Sequence, residues 1–330
     1  MSGDTQELKT IHGYHGWSVM GRLLARSLRD VGRRAARVRI VNTAPSAPLV
    51  SVIIPTFNWS SVLRLAIHSV LWQSMQDFEI VVVGDGCTDD SEAMVASIGD
   101  ARVRWNNLPV NSGHQATPNN AGYAAARGKY IALLGHDDLW HPDHLRRLLA
   151  TIAATGRDIV SSWTEMIGPP GTNFRVITGV YPRGRYQCRE ALVPSGLMLK
   201  REVPAKIGGW KDYRLISRSP DLDFVARARD AGYRFASTGA LSVFKFNSAL
   251  RKNSYILKPC HEQQEYIARM ESERFFLLRE ALAVAKVHAL RLPMRTPNFT
   301  PPPNDEARGW EVKQYHRFRG LVRDSNGDVS

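Results

Sequence analysis

The chain has 330 residues, of which 43% are hydrophobic, a composition that fits a globular protein with a sizeable core and either one large α/β domain or two modest domains. Its formal net charge of +13 predicts attraction to anions such as nucleic acid, acidic lipid or phosphorylated substrates, without choosing between them. Three widely spaced cysteines argue against a disulfide framework or zinc site, and the lack of long apolar runs argues against a membrane span or secretory signal, so we expect a cytoplasmic protein.

Residues 1–48 form a predicted region of their own, with a basic amphipathic helix between residues 16 and 40 and a P-S-A-P linker at residues 45–48. Its apolar positions are Trp17, Val19, Met20, Leu23, Leu24, Leu28 and Val31, and its arginines are Arg22, Arg26, Arg29, Arg33, Arg34, Arg37 and Arg39. Such a helix can lie in an anionic membrane interface or bind a partner, or it can dock on the main domain with a solvated face. Amphipathicity alone does not discriminate between these alternatives.

Strands and helices alternate from residue 49 onward in the predicted main domain. Strands are predicted at residues 49–55, 78–83, 102–106, 130–134 and 158–163, and helices at residues 60–73, 91–98, 119–127 and 143–154. Repeated strand and helix at this spacing implies parallel β-α-β units with right-handed crossovers. The predicted fold class is therefore α/β, with a mostly parallel sheet flanked by helices.

The stretch at residues 129–142 reads K-Y-I-A-L-L-G-H-D-D-L-W-H-P. Its apolar run is typical of a strand buried on both faces, and Asp137 and Asp138 follow soon after Gly135 ends that run. In an open α/β sheet the ligand crevice lies beyond the carboxyl ends of the strands. The Asp pair therefore suggests a site for a hard divalent cation and the phosphates that it bridges. The alternative is an exposed, acidic turn between a strand and a helix.

The alternation weakens beyond about residue 164. Asp221 and Asp223 stand at the start of a predicted helix, where a carboxylate is stabilised by the helix dipole whether it does chemistry or serves as an N-cap, and Asp221 is the expected cap in the second case. Residues 261–290 look like one long amphipathic helix, followed by a tail with three consecutive prolines at 301–303. We expect three regions, at residues 1–48, 49–255 and 256–330.

Six motifs between residues 49 and 254 resemble, in order, those of the family 2 glycosyltransferases of the GT-A fold. They are V-S-V-I-I-P-T-F-N at 50–58, G-D-G-C-T-D at 84–89, N-x-G at 111–113, N-N-A-G at 119–122, G-K-Y-I-A-L-L-G-H-D-D at 128–138, and G-G-W followed by P-D-L-D-F at 220–224. Each motif alone is weak, but their shared order and spacing make a chance match improbable. The resemblance implies a nucleotide half at residues 49–163 and an acceptor half at residues 164–255.

The resemblance also implies roles for individual residues. The expected nucleotide-sugar contacts are Pro55, Thr56, Phe57, Asn58, Asp85, Gly86, Asn111, Asn119 and His136. Asp137 occupies the last position of the family's D-x-D element and would bind the Mn²⁺ or Mg²⁺ that bridges the diphosphate. Asp221 aligns with the Asp of the family's E-D motif and would be the general base of an inverting transfer.

Three positions depart from the family pattern. Gly84 stands where the D-D-G-S element has its first Asp, a carboxylate that commonly contacts the base. Gly135 replaces the first Asp of D-x-D, and Asn119 stands where many members place Arg. These changes leave weaker metal dependence, a different nucleotide or an inactive relative as alternatives. His136 could face the ribose or phosphate, or it could be merely solvated.

The predicted function is transfer of a sugar from a nucleotide-sugar donor to a glycan, polysaccharide or lipid-linked acceptor. UDP-sugars are the first expectation for the donor, with GDP- and dTDP-sugars as alternatives. The basic helix would bring the enzyme to the inner face of a membrane. Two other functions stay open: a catalytically silent nucleotide-sugar binding protein of the same fold, and a nucleic-acid binding protein. Because the sequence lacks a stacking-aromatic or helix-turn-helix signature, no nucleic-acid partner is expected.

Residues 314–318, Q-Y-H-R-F, are similar to the Q-x-x-R-W element of processive polysaccharide synthases. We interpret this similarity as a coincidence, because the segment lies far from Asp221 and beyond the proline-rich stretch, and because no transmembrane channel is predicted. Transfer of one or a few sugars is therefore expected rather than processive polymerisation.

Overall fold

A computed structural model of the chain describes residues 17–29, 40–44, 46–181, 186, 192–216, 219–294, 296–297 and 310–321. Residues 30–39, with the second half of the predicted basic helix, and the prolines at 301–303 lie outside the described residues. Cys87 and Cys260 are free thiols, and Cys188 lies outside this part.

Nine strands of the described residues form one sheet. They are β1 (Val50–Thr56), β2 (Phe78–Gly84), β3 (Val103–Asn107), β4 (Tyr130–Leu133), β5 (Asp138–Trp140), β6 (Ile159–Ile167), β7 (Arg175–Thr178), β8 (Leu197–Lys200) and β9 (Phe235–Phe246). The order in the sheet is β3-β2-β1-β4-β8-β6-β9-β5, with β7 paired to β6. The pairs that join β3, β2, β1 and β4 are parallel, as is the pair β6 and β9, whereas β8, β7 and β5 run antiparallel to their neighbours. The predicted α/β fold is confirmed.

The helices pack on both faces of this sheet. They are α1 (Trp17–Arg29), α2 (Ser60–Leu71), α3 (Ser91–Ala96), α4 (Ala116–Ala125), α5 (His144–Thr155), α6 (Glu202–Ile207), α7 (Pro220–Asp230), α8 (Ser254–Leu257), α9 (His261–Ser272), α10 (Phe276–Ala289) and α11 (Trp310–Arg319). Successive side chains of β1 point to opposite faces of the sheet. Val52 and Ile54 pack with Leu63 of α2 on one face, whereas Ile53 packs with Phe224 of α7 on the other. A strand buried on both faces needs this continuous run of apolar residues.

Most predicted elements occur within a few residues of their expected bounds, but the single helix predicted at residues 261–290 is wrong. The chain breaks at residues 273–275 into α9 and α10, which pack against each other. The Tyr266 ring lies edge-on to the Phe276 ring at 5.8 Å. The buried Glu280 carboxylate accepts hydrogen bonds from the Tyr266 hydroxyl (2.7 Å) and Arg269 (2.5 Å), and it pairs with Arg175 of β7 (2.8 Å). These contacts between α9 and α10 require the turn at residues 273–275.

Helix α1 is docked on the main domain. Leu23 is 1% exposed and belongs to the apolar cluster formed by β9 and α10, and the Arg26 guanidinium donates to the backbone oxygen of Thr238 on β9. Arg22 and Leu28 are exposed. One face of this basic helix is therefore used for packing, and another faces solvent. Among the described residues, no helix is both long enough and apolar enough to cross a bilayer.

Helix α11 carries the Q-Y-H-R-F segment, and its last turn packs against residues 213 and 253. The His316 ring packs edge-on against the Tyr213 ring at 5.9 Å. In the same last turn of α11, the backbone oxygen of Phe318 accepts a hydrogen bond from the Asn253 amide (2.8 Å). Both contacts lie close to the crevice at the carboxyl ends of β1, β2 and β4.

Candidate active site

Three loops meet at the carboxyl ends of β1, β2 and β4. The backbone oxygen of Thr56, at the end of β1, accepts a hydrogen bond from the Asp85 amide (2.8 Å), and the Thr56 hydroxyl is 2.8 Å from His136 Nδ1. Asn58 has a left-handed backbone (φ 44°), which asparagine tolerates better than most residues, and its side-chain oxygen accepts from the Thr88 amide (2.8 Å). The loops therefore hold one another before any ligand binds.

The loop after β2 is also fixed to the loop after β3. Both the amide (3.1 Å) and the hydroxyl (2.8 Å) of Ser112 donate to the Asp85 carboxylate. Gly86 has a left-handed backbone (φ 68°), and a Cβ there would lie 2.4 Å from the Asn111 amide nitrogen, so only glycine fits. The residues expected to contact the donor at 85–86 and at 111 are thus neighbours. Asp85 reaches this arrangement through Ser112, a partner that sequence reasoning missed.

His136 is buried rather than solvated, so the solvated alternative is wrong. Its Nδ1 contacts the Thr56 hydroxyl, and its Nε2 lies 3.2 Å from the Tyr255 hydroxyl. The Trp59 ring packs edge-on against it at 5.9 Å. Burial lowers the pKa of His136, so its imidazole is neutral at pH 7. Both ring nitrogens are engaged within the protein.

Asp137 and Asp138 have different surroundings. Burial opposes ionisation of Asp137, but Lys245, His136 and the Ser248 hydroxyl outweigh it, so the pKa of Asp137 is lowered. Burial raises the pKa of Asp138 to about 6, and its Oδ2 accepts from both Lys245 Nζ (3.2 Å) and the Ser195 hydroxyl. Asp138 therefore links β5 to its neighbours, and Asp137 is the more acidic member of the pair.

Lys245 sits opposite Asp138 in the register of β5 and β9. Burial disfavours its ammonium charge, yet the carboxylates of Asp138 and Asp137 raise the pKa of Lys245 above its usual range. Asp221 also contributes to this increase, so the lysine charge acts on both the Asp137 and the Asp221 sides of the crevice. The sequence offered one signal for it, because Lys245 is the charged residue in the otherwise uncharged run L-S-V-F-K-F at residues 241–246.

Asp221 lies in the first turn of α7 without being its cap. The N-cap is Ser219, whose hydroxyl accepts from the Leu222 amide (3.4 Å), so the expectation that Asp221 caps the helix is wrong. The Asp221 carboxylate accepts from Gln115 Nε2 (2.8 Å), and burial raises its pKa to about 6. Asp223 instead pairs with Arg227 one turn later (2.8 Å). Asp221 is thus a half-buried carboxylate with one neutral hydrogen-bond partner.

The donor set suits a divalent cation that also binds substrate phosphates. In the described part of the chain, no group of three or more His, Cys, Asp or Glu side chains could hold a metal by itself. Mg²⁺ is commonly bound by one or two carboxylates together with substrate phosphates and water, which is what the Asp137 carboxylate can offer. A Cβ on Gly135 would lie 3.0 Å from Asp138 Oδ2 and 3.3 Å from Asp137 Oδ1, so a third carboxylate there would crowd the pair.

Two neighbours fill the space beside Gly84. A Cβ at that position would lie 2.4 Å from Asn107 Oδ1 and 2.8 Å from the Trp105 ring. The Asn107 side chain accepts from the Cys87 amide and donates to the Cys87 carbonyl, at 2.9 Å each. This chain therefore holds the loop after β2 through Asn107.

The remaining expected donor contacts are less closely connected. Pro55 and Phe57 are half-buried at the end of β1, and the Phe57 ring lies 6.4 Å from the Tyr255 ring. Asn119 is 2% exposed on α4, and its Oδ1 has no hydrogen-bond partner within the described residues. Tyr255, which bridges Phe57 and His136, was missed because nothing in its local sequence marks it.

Comparisons with known proteins agree on one family. The model of "Glycosyl transferase family 2" matches residues 51–221, more than half of the chain. The succinoglycan biosynthesis protein ExoO of Rhizobium meliloti (strain 1021) is 36% identical over 131 residues, covering 40% of this chain and 37% of that protein. The poly(ribitol-phosphate) beta-N-acetylglucosaminyltransferase TarP of Staphylococcus aureus (strain N315) is 37% identical over 102 residues, covering 30% of this chain and 31% of that protein.

Solved structures agree on the fold. The crystal structure of S. aureus TarS residues 1–349 in complex with UDP-GlcNAc matches with a TM-score of 0.50 and 18% identity, over 74% of this chain and 73% of that one. The matched segments span about a third of the length of the two curated relatives.

Proposed function

Since the chain belongs to glycosyl transferase family 2, we propose that it transfers a sugar from a nucleotide-sugar donor to an acceptor hydroxyl, with inversion at the anomeric carbon. One observation carries this proposal: the crevice holds two carboxylates with opposite pKa shifts. The pKa of Asp137 is lowered, which suits a charged ligand group, whereas the pKa of Asp221 is raised to about 6, which suits a proton acceptor.

In the proposed reaction, Asp221 is the general base. It takes the proton of the acceptor hydroxyl as that oxygen forms a bond to the anomeric carbon, while the bond from this carbon to the diphosphate oxygen breaks and its electrons leave with the nucleoside diphosphate. One displacement inverts the carbon, and no second nucleophile is needed. A base of pKa about 6 is ionised at neutral pH yet basic enough to accept a proton. Gln115 would orient the Asp221 carboxylate through its 2.8 Å hydrogen bond.

The donor would bind across the three joined loops. The expected contacts with base and ribose come from residues 55–58, 85–86 and 111, with Asn119 and His136 at the border. Asp137 would hold Mn²⁺ or Mg²⁺. When bound, such a cation neutralises the charge that develops on the leaving diphosphate. Lys245 keeps Asp137 ionised and adds positive charge to the same region.

The relatives guide the choice of substrates. TarS was crystallised with UDP-GlcNAc, so UDP-GlcNAc is the first donor to test, followed by other UDP-sugars, GDP-sugars and dTDP-sugars. The named relatives act in succinoglycan biosynthesis and on poly(ribitol-phosphate). We propose a polysaccharide, glycan or lipid-linked acceptor, bound by residues 164–255, with residues 49–163 as the nucleotide half and 1–48 and 256–330 as flanking regions.

The exposed side of α1 supports a second part of the proposal, namely peripheral attachment to an anionic membrane on its cytoplasmic face. Arg22 and Leu28 point away from the packed face that contains Leu23. Arginine beside an exposed leucine is the combination that an interfacial helix uses. Lipid-linked acceptors would be found at such a surface.

A catalytically silent nucleotide-sugar binding protein is the second candidate. The observation that favours it is the pair of glycines, Gly84 and Gly135, at positions where the family has carboxylates. Such a protein would bind a donor without turnover.

The test combines binding and turnover. Thermal unfolding would be measured with UDP-, GDP-, CDP- and dTDP-sugars, with and without Mn²⁺, on wild type, Asp137→Asn and Asp221→Asn. A ligand at a hundred times its Kd stabilises the folded state by about 2.7 kcal/mol. We expect one donor to raise the Tm in a Mn²⁺-dependent way that Asp137→Asn abolishes and Asp221→Asn retains, while Asp221→Asn loses transfer or donor hydrolysis. Binding without turnover in wild type would select the silent candidate, and no binding would contradict both.

A further inference from the structure

Helix α11 joins the two sides of the crevice. In the last turn of this helix, the Arg319 guanidinium lies 5.6 Å from the ring of Tyr255, whose hydroxyl contacts His136 on the donor side. Three residues earlier in the same turn, the His316 ring packs against Tyr213.

Tyr213 belongs to the acceptor side of the crevice. It follows Asp212, whose carboxylate lies 3.3 Å from His114 Nε2. His114 precedes Gln115, the partner of Asp221. The last turn of α11 therefore contacts residues on both the His136 side and the Asp221 side.

The end of α11 is held close to residues 253–256. Gly320 has a left-handed backbone (φ 80°), and its amide and that of Leu321 donate to the carbonyls of Arg317 and His316, at 2.9 Å each. This is a glycine C-cap, which fixes the direction in which the helix stops. A Cβ on Gly320 would lie 2.6 Å from Ile256 Cδ1, so the close approach needs glycine. Arg319, one residue earlier, is thereby fixed at the crevice.

Among the described residues, the positive charge of Arg319 is in contact with neutral groups. Its guanidinium lies on the Tyr255 ring, Nε donates to the backbone oxygen of Tyr315 (3.2 Å), and Nη1 is 3.5 Å from the Ser248 hydroxyl. Within the described residues, no carboxylate forms an ion pair with it. Tyr255 also contacts His136, the neighbour of Asp137 in the chain, so Arg319 lies on the same side of the crevice as the proposed metal ligand. Lys245, by contrast, is already paired with Asp138.

We propose that Arg319 binds the diphosphate of the donor, so that α11 is a strap that completes the donor site. A guanidinium matches the geometry of phosphate oxygens and can bind two of them at once. An anion at this position would neutralise the guanidinium charge, which no carboxylate in the described part of the chain pairs with. The inference rests on the proposed function, because it assumes that the crevice binds a nucleoside diphosphate. It adds a ligand residue from outside the matched residues 51–221.

The test is isothermal titration calorimetry on the full chain. UDP, GDP and pyrophosphate would be titrated in the presence of Mg²⁺, with uridine and guanosine as probes that lack phosphate. The variants are Arg319→Gln, Arg319→Lys and the control Lys313→Gln, which removes a positive charge from an exposed position of the same helix. We expect Arg319→Gln to raise the Kd of each diphosphate about 10- to 100-fold, which is the usual effect of losing a charged hydrogen bond. Arg319→Lys should recover part of the loss, and Lys313→Gln should match wild type.

Gly320→Ala provides an independent variant, since it keeps Arg319 but strains the left-handed C-cap and crowds Ile256 at the end of α11. We expect weaker diphosphate binding with an unchanged Tm of the main unfolding transition. If Arg319→Gln binds UDP, GDP and pyrophosphate as tightly as Lys313→Gln does, the inference is wrong while the proposed function stands. If Arg319→Gln weakens the binding of uridine and guanosine as much as that of the diphosphates, the inference is also wrong, because the effect would then not depend on phosphate. Absence of diphosphate binding in wild type would remove the proposed function and the inference together.

Discussion

At the scale of single residues, the crevice separates a group that stays charged from one that titrates. Lys245 favours the ionised form of Asp137, whereas burial outweighs the effects of Lys245 and of the Gln115 amide at Asp221. The same residue type therefore serves two purposes, because its surroundings differ. The pKa of about 6 for Asp221 makes the difference measurable.

The rate of transfer should report the Asp221 pKa. A general base must be deprotonated, so kcat/KM should be constant above about pH 6 and fall about tenfold for each pH unit below it. Asp221→Asn should lower the rate by about 10²- to 10⁴-fold and remove this dependence. The matched control is Asp223→Asn, which loses only the ion pair with Arg227. A rate that stays flat down to about pH 4 would contradict the assignment of Asp221 as the base.

Restoring the family's carboxylate at Gly84 should destabilise this chain. The new Cβ would overlap Asn107 and Trp105, so Gly84→Asp should cost about 1–3 kcal/mol of unfolding free energy, as overpacking does. Chemical denaturation would measure this loss of unfolding free energy. In a double-mutant cycle, Asn107→Ala should reduce the cost of Gly84→Asp, and strict additivity of the two changes would show that the crowding is not the cause.

At the scale of elements, α1 has a packing face and a solvent face that can be separated by mutation. Leu23→Ala should cost about 2–5 kcal/mol of unfolding free energy, because the side chain is buried against β9 and α10. Arg22→Glu should leave stability within about 0.5 kcal/mol of wild type but weaken binding to anionic vesicles. Sedimentation with vesicles and chemical denaturation measure the two effects. Vesicle binding that is unchanged in Arg22→Glu would argue against attachment through this face.

The pair α9 and α10 depends on a buried carboxylate. Glu280 accepts from Arg269 and Tyr266 and pairs with Arg175, so Glu280→Ala would leave two guanidinium groups without this partner. We expect a loss of about 3–5 kcal/mol, the usual cost of breaking a buried ion pair from one side. Glu271→Ala, at an exposed position of α9, is the control and should change stability by less than about 0.5 kcal/mol. Equal effects of the two variants would contradict a buried network.

At the scale of the whole molecule, the net charge of +13 should act through anionic surfaces rather than through nucleic acid. Binding to duplex DNA should be weak and nearly vanish between about 50 mM and about 200 mM salt, because only released counterions drive it. Binding to anionic vesicles should persist at about 0.15 M salt, since buried apolar side chains add to it. Fluorescence anisotropy with a labelled duplex and vesicle sedimentation at matched salt would compare them. Duplex binding that survives the higher salt would revive the nucleic-acid alternative.

The local sequence pattern was sufficient to predict the parallel half of the sheet and the loops that follow β1, β2 and β4. Apolar runs of strand length and the motifs at their ends place Asp85 and Asp137 at one sheet edge. The sequence could not indicate β5, a three-residue strand that exists because it pairs with β9 about a hundred residues later. Tyr255 and Arg319 reach the crevice through tertiary contacts of the same kind. No glycine or proline marks the break at residues 273–275, which packing alone decides.

The pairing of β6 with β9 is irregular just before the crevice. From Ser237 to Val243, β9 advances six residues while β6 advances three, from Ser161 to Thr164. Beyond this bulge the alternation turns Lys245 toward Asp138 and leaves Phe244 in the apolar cluster. A strand that slips by one residue exchanges its two faces. The length of this stretch should therefore tolerate less change than its composition: gain or loss of one residue would bring a phenylalanine to the crevice and place the ammonium in the apolar cluster.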